Sequence, residues 1–282
     1  MTQITANFSN SLCERPLAID GISDFDLAET LDCGQAFRWN PAPDGSFTGV
    51  AAGRACRVAR RGNELLLYGV PQEDYDRFWF SYFDLGRNYR QIKQELSADP
   101  VLARAVAYAP GIRVLNQDPW EALASFIISQ NNNVKRIKGI IERLCALCGE
   151  PIEGGFYAFP TPEALAARTP EDLAPVRAGF RARYLIDAAQ KAVSRQIDLA
   201  ALRTLPLPEA REMLMRITGV GVKVAECALL FGCGRVECFP VDVWIGRVMR
   251  QLFPDGLPAC AAGYEGIAQQ YLFHYARTSG ML

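Results

Sequence analysis

What most restricts the fold of this chain is a single change of period near residue 70. From Phe25 to Val70, β-branched, aromatic and apolar residues come in short runs broken by the turn signals "NPAPDGS", "AAGRA" and "RRGNE", which is the pattern of an antiparallel sheet. From "PQEDYDRFWFSYFDL" onward the apolar spacing is helical. It is broken only at Ala109-Pro110-Gly111, Gly154-Gly155, Thr161-Pro162, Thr169-Pro170, Leu205-Pro206-Leu207-Pro208 and Pro254-Asp255-Gly256. Strands followed by helices define an α+β chain. We expect an N-terminal antiparallel β-sheet domain with its following helices over 1–108 and a helical domain over 109–282, the latter divided into 109–204 and 205–282.

The second constraint lies inside the helical part. Glu209 to Arg216 reads as a short helix begun by Pro208, Thr218-Gly219-Val220-Gly221 as a tight turn, and Lys223 to Leu230 as a second helix. Glycines at 219 and 221 let the backbone turn and approach a partner with no side chain between, while Leu214, Ile217 and Val220 are expected to face inward. This spacing resembles the helix-hairpin-helix motif, which offers backbone N–H groups and a helix N-terminus to a DNA phosphate. Taken alone, the motif leaves a plain interhelical turn as the alternative.

The next residues narrow the choice. In the glycosylase superfamily built on this hairpin, an aspartate follows the second helix within a "PVDV" segment, and Pro240-Val241-Asp242-Val243 stands there. Members that also cleave the strand carry a lysine just after the hairpin, matched by Lys223. A lysine in the first helical turn sits at the positive end of the helix dipole, which favours the free amine that attacks a sugar C1′. Asp242, expected at a helix N-cap, would stabilise the positive sugar that develops as the base departs.

Four further segments resemble the 8-oxoguanine DNA glycosylases, and the similarity spans nearly the whole chain. Cys33-Gly34-Gln35-Ala36-Phe37-Arg38-Trp39 is similar to the family's "SGQSFRW", in which the glycine carbonyl accepts from N7–H of the damaged base. Oxidation at C8 turns N7 from an acceptor into a donor, so a carbonyl there selects the lesion over guanine. Ser129-Gln130-Asn131-Asn132-Asn133-Val134-Lys135-Arg136 is similar to "SSNNNIAR". The resemblance implies that Asn131 fills the space of the extruded nucleotide and that Arg136 reads the orphaned cytosine. Gly179-Phe180-Arg181-Ala182-Arg183-Tyr184 resembles "GYRARY", implying a wedge at Phe180 and a second cytosine contact from Arg181. Ala268-Gln269-Gln270-Tyr271-Leu272-Phe273 resembles "AQAVLF", implying that Gln269 reads the base edge and Phe273 stacks on its face. Cys227, one turn after Lys223, matches the family's cysteine on the opposite face of the base.

Two departures accompany these matches. Animal members have a histidine two residues after the aspartate that helps hold phosphate, where this chain has Trp244, and the sole histidine, His274, matches no catalytic position. The trimmed length suggests a bacterial-type member.

Composition then bounds the partners. The net charge of −1 argues weakly against nucleic acid, yet residues 1–110 carry 11 basic and 14 acidic side chains against 19 and 17 in 111–282, so any DNA footprint lies in the second half. Nine cysteines scattered without a disulfide or cluster spacing read as reduced thiols, and Cys145-Ala-Leu-Cys148 as helix packing. With no apolar run long enough to span a bilayer and no signal-like start, a cytoplasmic protein with no membrane and no obligate protein partner is expected.

The resemblance implies a bifunctional enzyme that flips 8-oxoguanine, preferably opposite cytosine, out of double-stranded DNA. It would cleave the N-glycosidic bond through a lysine Schiff base and nick the strand by β-elimination. No metal or cofactor is required for that chemistry, although hairpins of this family often hold a structural cation through backbone carbonyls. Two rivals remain: a monofunctional glycosylase for alkylated bases that uses the aspartate alone, and a non-catalytic helix-hairpin-helix DNA-binding module.

Overall fold

Two-residue loops fold the N-terminal part into a sheet. Between Phe47–Ala51 (β3) and Arg54–Arg61 (β4), Ala52 and Gly53 both take positive φ, 47° and 74°, the sense of turn that suits the right-handed twist of paired strands. Gly62, also at positive φ, opens the loop to Glu64–Tyr68 (β5). With Leu17–Ile19 (β1) and Trp39–Pro41 (β2), these strands make one antiparallel sheet in the order β1-β5-β4-β3-β2. The computed structural model describes residues 15–280; Cys13 lies outside them.

The strand-like reading from Phe25 needs correction over its first third. Residues Leu27–Leu31 form a short helix (α1) whose start is fixed by Asp26, the carboxylate of which accepts from Glu29 N–H at 2.9 Å. After Phe25 strand pairing begins only at Trp39, whereas β1, which pairs with β5, lies before the expected start.

The sheet covers an aromatic cluster. Gln72–Asp74 (α2), a π-helical turn Tyr75–Trp79 and Phe80–Tyr82 (α3) run on without a break. They bring Trp79, Tyr82 and Phe83 against Trp39, whose indole N–H donates to the Tyr82 hydroxyl at 2.8 Å. Truncating a fully buried ring of this kind costs about 3–5 kcal/mol.

Aspartate or threonine before proline starts several of the helices that follow. Asp99 caps Pro100–Tyr108 (α5), Asp118 caps Pro119–Ser129 (α6) and Thr161 caps Pro162–Ala166 (α8), each accepting from N–H groups of the first turn. The remaining helices are Tyr89–Leu96 (α4), Val134–Cys148 (α7), Arg181–Val193 (α9), Leu207–Met215 (α10), Val222–Cys233 (α11), Val243–Leu252 (α12) and Glu265–Thr278 (α13). A two-stranded ribbon, Pro151–Ile152 (β6) with Phe156–Tyr157 (β7), follows α7. At the end of α7 the Cys145 thiol is buried in the helical core and Cys148, partly buried, packs against it, both free. Among the described residues no helix is long and apolar enough to cross a membrane.

Two features of this packing bear on the site. First, α6 and α11 lie against each other as the spine of the helical core, with Phe126 and Phe231 stacked at 5.3 Å between ring centroids. Second, the loop carrying Gly34 is stapled to the extended stretch 111–117. The fully buried Gln35 amide donates to Thr30 and Arg113 carbonyls at 2.9 and 2.7 Å and accepts from Leu115 N–H at 2.8 Å, while the Gln117 amide donates to the Gln35 carbonyl at 2.7 Å. A buried amide satisfied on both sides fixes the backbone around it, and here that backbone includes Gly34.

Candidate active site

The hairpin forms as the spacing suggests, with helices slightly longer than expected. Its first helix, α10, begins at Leu207 and its second, α11, runs from Val222 to Cys233. Leu214, Ile217 and Val220 are buried, and the carbonyl of Ile217 accepts from Val220 N–H at 3.0 Å. Helix α9 supports the turn from below: Asp187 accepts from Thr218 N–H at 2.7 Å, and Lys191 donates to the Arg216 carbonyl at 2.7 Å. The two glycines differ. Gly219 has φ +78°, and a Cβ there would lie 2.3 Å from the Tyr184 ring. Gly221 has ordinary extended backbone (φ −101°, ψ −178°) with open space beside it, so the dihedral argument applies to Gly219 alone. What Gly221 leaves is room for a partner to approach the first turn of α11.

Lys223 stands in that first turn, half-buried, its amine 5.1 Å from the centroid of the Phe126 ring on α6. The Cys227 thiol lies one turn along on the same helix, close enough to feel the Lys223 charge. Burial pushes that thiol above its usual range and the Asp242 carboxylate adds to the push, while Lys223 pulls the other way. Asp242 is the N-cap of α12 and accepts from Ile245 N–H at 2.8 Å. A lysine, a thiol and a carboxylate therefore converge where the N-terminal ends of two helices meet.

Glu226, which the sequence reading passed over, sets the approach of the aspartate segment. It is buried, takes Arg211 on one oxygen at 2.6 Å from Nε, and accepts from Phe239 N–H on the other at 2.7 Å. The carboxylate thus ties α11 to the stretch that leads into Pro240 and Asp242. The only hint in the sequence was an acidic residue on the inward face of an apolar helix.

On α13, Gln269 is buried and its amide donates to the Pro240 carbonyl at 3.2 Å, whereas its own carbonyl oxygen has no partner among the described residues. One turn later Phe273 meets Gly34: with φ +96°, Gly34 has Phe273 Cε1 3.6 Å from where its Cβ would be. Gly34 and Phe273 thus meet from two distant parts of the chain, Gln269 one turn before Phe273 holds the segment that leads to Asp242, and Cys227 is buried on α11 within reach of the Lys223 and Asp242 charges. His274 packs beside Tyr108 at 6.0 Å between ring centroids, with its imidazole held below its usual range by burial and by Arg277.

The remaining residues lie on the loops before α7 and α9. Asn131 is exposed at a loop tip with φ +47°, a left-handed conformation that asparagine tolerates better than most side chains. Arg136 is exposed in the first turn of α7, which Asn133 caps by accepting from Arg136 N–H at 3.0 Å. Phe180 is 43% exposed just before α9.

Arg181 is a correction. Expected at the DNA surface, it is 2% exposed, and its guanidinium donates to the carbonyls of Gln130, Asn131 and Ala178 while lying 4.4 Å from the Phe180 ring centroid. Three loop carbonyls without other donors outweigh the solvent that an arginine ordinarily seeks. In this structure Arg181 clamps the loop that displays Asn131. Trp244, in place of the family's histidine, carries the Arg247 guanidinium 5.3 Å over its ring. Among the described residues no group of three or more His, Cys, Asp or Glu side chains could hold a metal ion.

The fold is that of base excision DNA repair proteins of the HhH-GPD superfamily, which residues 124–256 match. Residues 19–123 match the N-terminal domain of 8-oxoguanine DNA glycosylase, and the chain belongs to the 8-oxoguanine DNA glycosylase family. Its sequence is 31% identical to the N-glycosylase/DNA lyase of Saccharomyces cerevisiae over 257 residues, covering 81% of this chain and 68% of that protein. Its structure is similar to MBOgg1 in complex with a low-affinity DNA ligand, with 44% identity, a TM-score of 0.90 and coverage of 95% and 97% of the two chains. It is also similar to the Clostridium acetobutylicum 8-oxoguanine glycosylase/lyase bound to duplex DNA containing cytosine opposite 8-oxoguanine, with 34% identity, a TM-score of 0.89 and the same coverage.

Proposed function

We propose that the chain excises 8-oxoguanine from duplex DNA with Lys223 as nucleophile and then nicks the strand at the resulting site. The observation that carries this reading is the placement of Lys223 in the first turn of α11, with its amine over the Phe126 ring, and of Asp242 at the N-cap of α12, two residues after the Pro240 carbonyl that Gln269 holds. A phosphate-binding turn alone would need none of these groups. The duplex lies along the hairpin and the loops of Asn131 and Phe180, and the lesion swings in to lie between Cys227 and Phe273. There Gln269 reads the base edge and the Gly34 carbonyl accepts from N7–H.

The chemistry follows from the amine. Lys223 bonds to C1′, the C1′–N9 bond breaks, and its electron pair leaves with the base. Asp242 stabilises the positive charge that builds on the sugar. The C1′–O4′ bond then opens, O4′ taking up the proton that the nitrogen gives up, which leaves an imine at C1′ and acidifies the C2′ hydrogen. Loss of that proton expels the 3′ phosphate, and water finally releases the enzyme. An aspartate-only mechanism on an alkylated base would leave Lys223 without work.

Reductive trapping tests the reading. With borohydride present, a duplex carrying 8-oxoguanine should remain covalently attached to the enzyme; release of free base with no adduct would favour the aspartate-only alternative. Arg136 makes a separate prediction for the opposite strand. It is the exposed arginine beside the Asn131 tip, so Arg136→Ala should narrow the preference for cytosine over adenine opposite the lesion by about 10-fold or more, read as a ratio of single-turnover rates. Unchanged selectivity would remove Arg136 from that role.

A further inference from the structure

We propose that Arg277 is a specificity-determining residue of the base site, donating from its guanidinium to the C8 oxygen of the flipped base and stabilising the negative charge that the base carries away. This rests on the base-excision reading above and adds a residue outside the motifs that led to it. Arg277 follows Phe273 by one turn on α13, with its guanidinium carbon 5.3 Å from the centroid of the Phe273 ring. Its Nη1 atom lies 3.2 Å from the position a Cβ on Gly34 would take, the same point that Phe273 Cε1 approaches at 3.6 Å. The guanidinium therefore sits at the junction of the backbone that reads N7–H and the ring that stacks on the base.

Among the described residues Arg277 has no carboxylate partner. Its charge acts on its neighbours instead. It opposes the effect of burial on the Cys33 thiol and adds to the effect of burial on the His274 imidazole. A half-buried guanidinium held between Gly34 and Phe273 without a carboxylate partner calls for an acceptor on whatever binds beside them.

The lesion supplies one. 8-Oxoguanine differs from guanine in presenting an oxygen acceptor at C8 beside its N7–H donor. With the Gly34 carbonyl on N7–H, the next atom along that edge is the C8 oxygen. When Lys223 bonds to C1′ and the C1′–N9 bond breaks, the electron pair left on the base is shared between N9 and the C8 oxygen until water protonates it. A fixed guanidinium holds that anion more strongly than the neutral base, which lowers the barrier rather than merely tightening binding.

Arg277→Met keeps an unbranched chain over the Phe273 ring without the charge, and Arg277→Lys keeps the charge. Each variant is compared with wild type for single-turnover excision of 8-oxoguanine opposite cytosine and for nicking of a preformed abasic site. Excision should fall about 100-fold in Arg277→Met and recover most of that loss in Arg277→Lys. Abasic-site nicking should keep its wild-type rate in both, because no base then occupies the pocket. Excision unchanged in Arg277→Met would overturn the proposal, as would both reactions falling in proportion, which marks a packing role. A wild-type enzyme that nicks abasic sites but releases no 8-oxoguanine would overturn the lesion assignment itself, an outcome separate from any effect of Arg277.

Discussion

Lys223→Gln should abolish the borohydride adduct and lower excision of 8-oxoguanine by about 10⁴-fold or more, the scale seen when a covalent nucleophile is removed. Glutamine keeps a polar side chain of similar reach but cannot attack C1′. The structure indicates that this loss will not be a folding defect. Among the described residues Lys223 makes no ion pair, and its amine lies over the Phe126 ring. Losing a cation–π contact costs about 0.5–1 kcal/mol, which is a shift of about 1–2 °C in melting temperature for a chain of this size. Thermal unfolding measured beside single-turnover excision separates the two effects. DNA binding should survive, since the hairpin glycines and the loops before α7 and α9 are untouched. A Lys223→Gln enzyme that still trapped on DNA would place the nucleophile elsewhere.

Asp242→Asn carries the second largest expected effect, because it divides two jobs held by one side chain. As N-cap of α12, the Asp242 oxygen accepts from Ile245 N–H, and asparagine caps about as well as aspartate. The helix should therefore stay in place while the negative charge beside the reacting sugar is lost. Excision should fall about 10²- to 10³-fold with a melting temperature close to wild type. Asp242→Ala removes the cap as well and should cost about 1 kcal/mol of stability in addition. Wild-type excision by Asp242→Asn would reduce the residue to a helix cap.

Local physics explains which of these features the sequence displayed. Thr161-Pro162 and Pro208 were legible as punctuation of the helical part because capping and the fixed φ of proline act within one turn. The hairpin was legible because Gly219 needs both a positive φ and room for the Tyr184 ring, and the change of period near residue 70 separated sheet from helices. Lys223 and Asp242 stood out by their spacing from that turn. The convergence of Gly34 with Phe273 was suggested only by resemblance, since no local rule joins positions so far apart in the chain.

What stayed hidden depends on burial that charge alone does not reveal. Arg181 read as a surface cation, yet the carbonyls of Gln130 and Asn131 draw it beneath their loop. Glu226 carries the segment before Asp242 through a hydrogen bond to Phe239 N–H, a partner 13 residues away with no pattern to mark it. Residues 25–38 have the composition of strands, but the Asp26 cap and the Gln35 staple to residues 113–117 fold them as a helix and a loop. Arg277 looked like an ordinary basic residue in the last turn of a helix until its guanidinium was found between Phe273 and Gly34.

The central claim is that one amine, that of Lys223, does the covalent work. The most direct measurement is to trap the enzyme with borohydride on a duplex containing 8-oxoguanine opposite cytosine, digest the adduct, and locate the modified residue by mass. The modification should fall on the peptide containing Lys223 and on no other. Attachment through Lys93, Lys135, Lys138, Lys191 or the N-terminal amine would contradict the account.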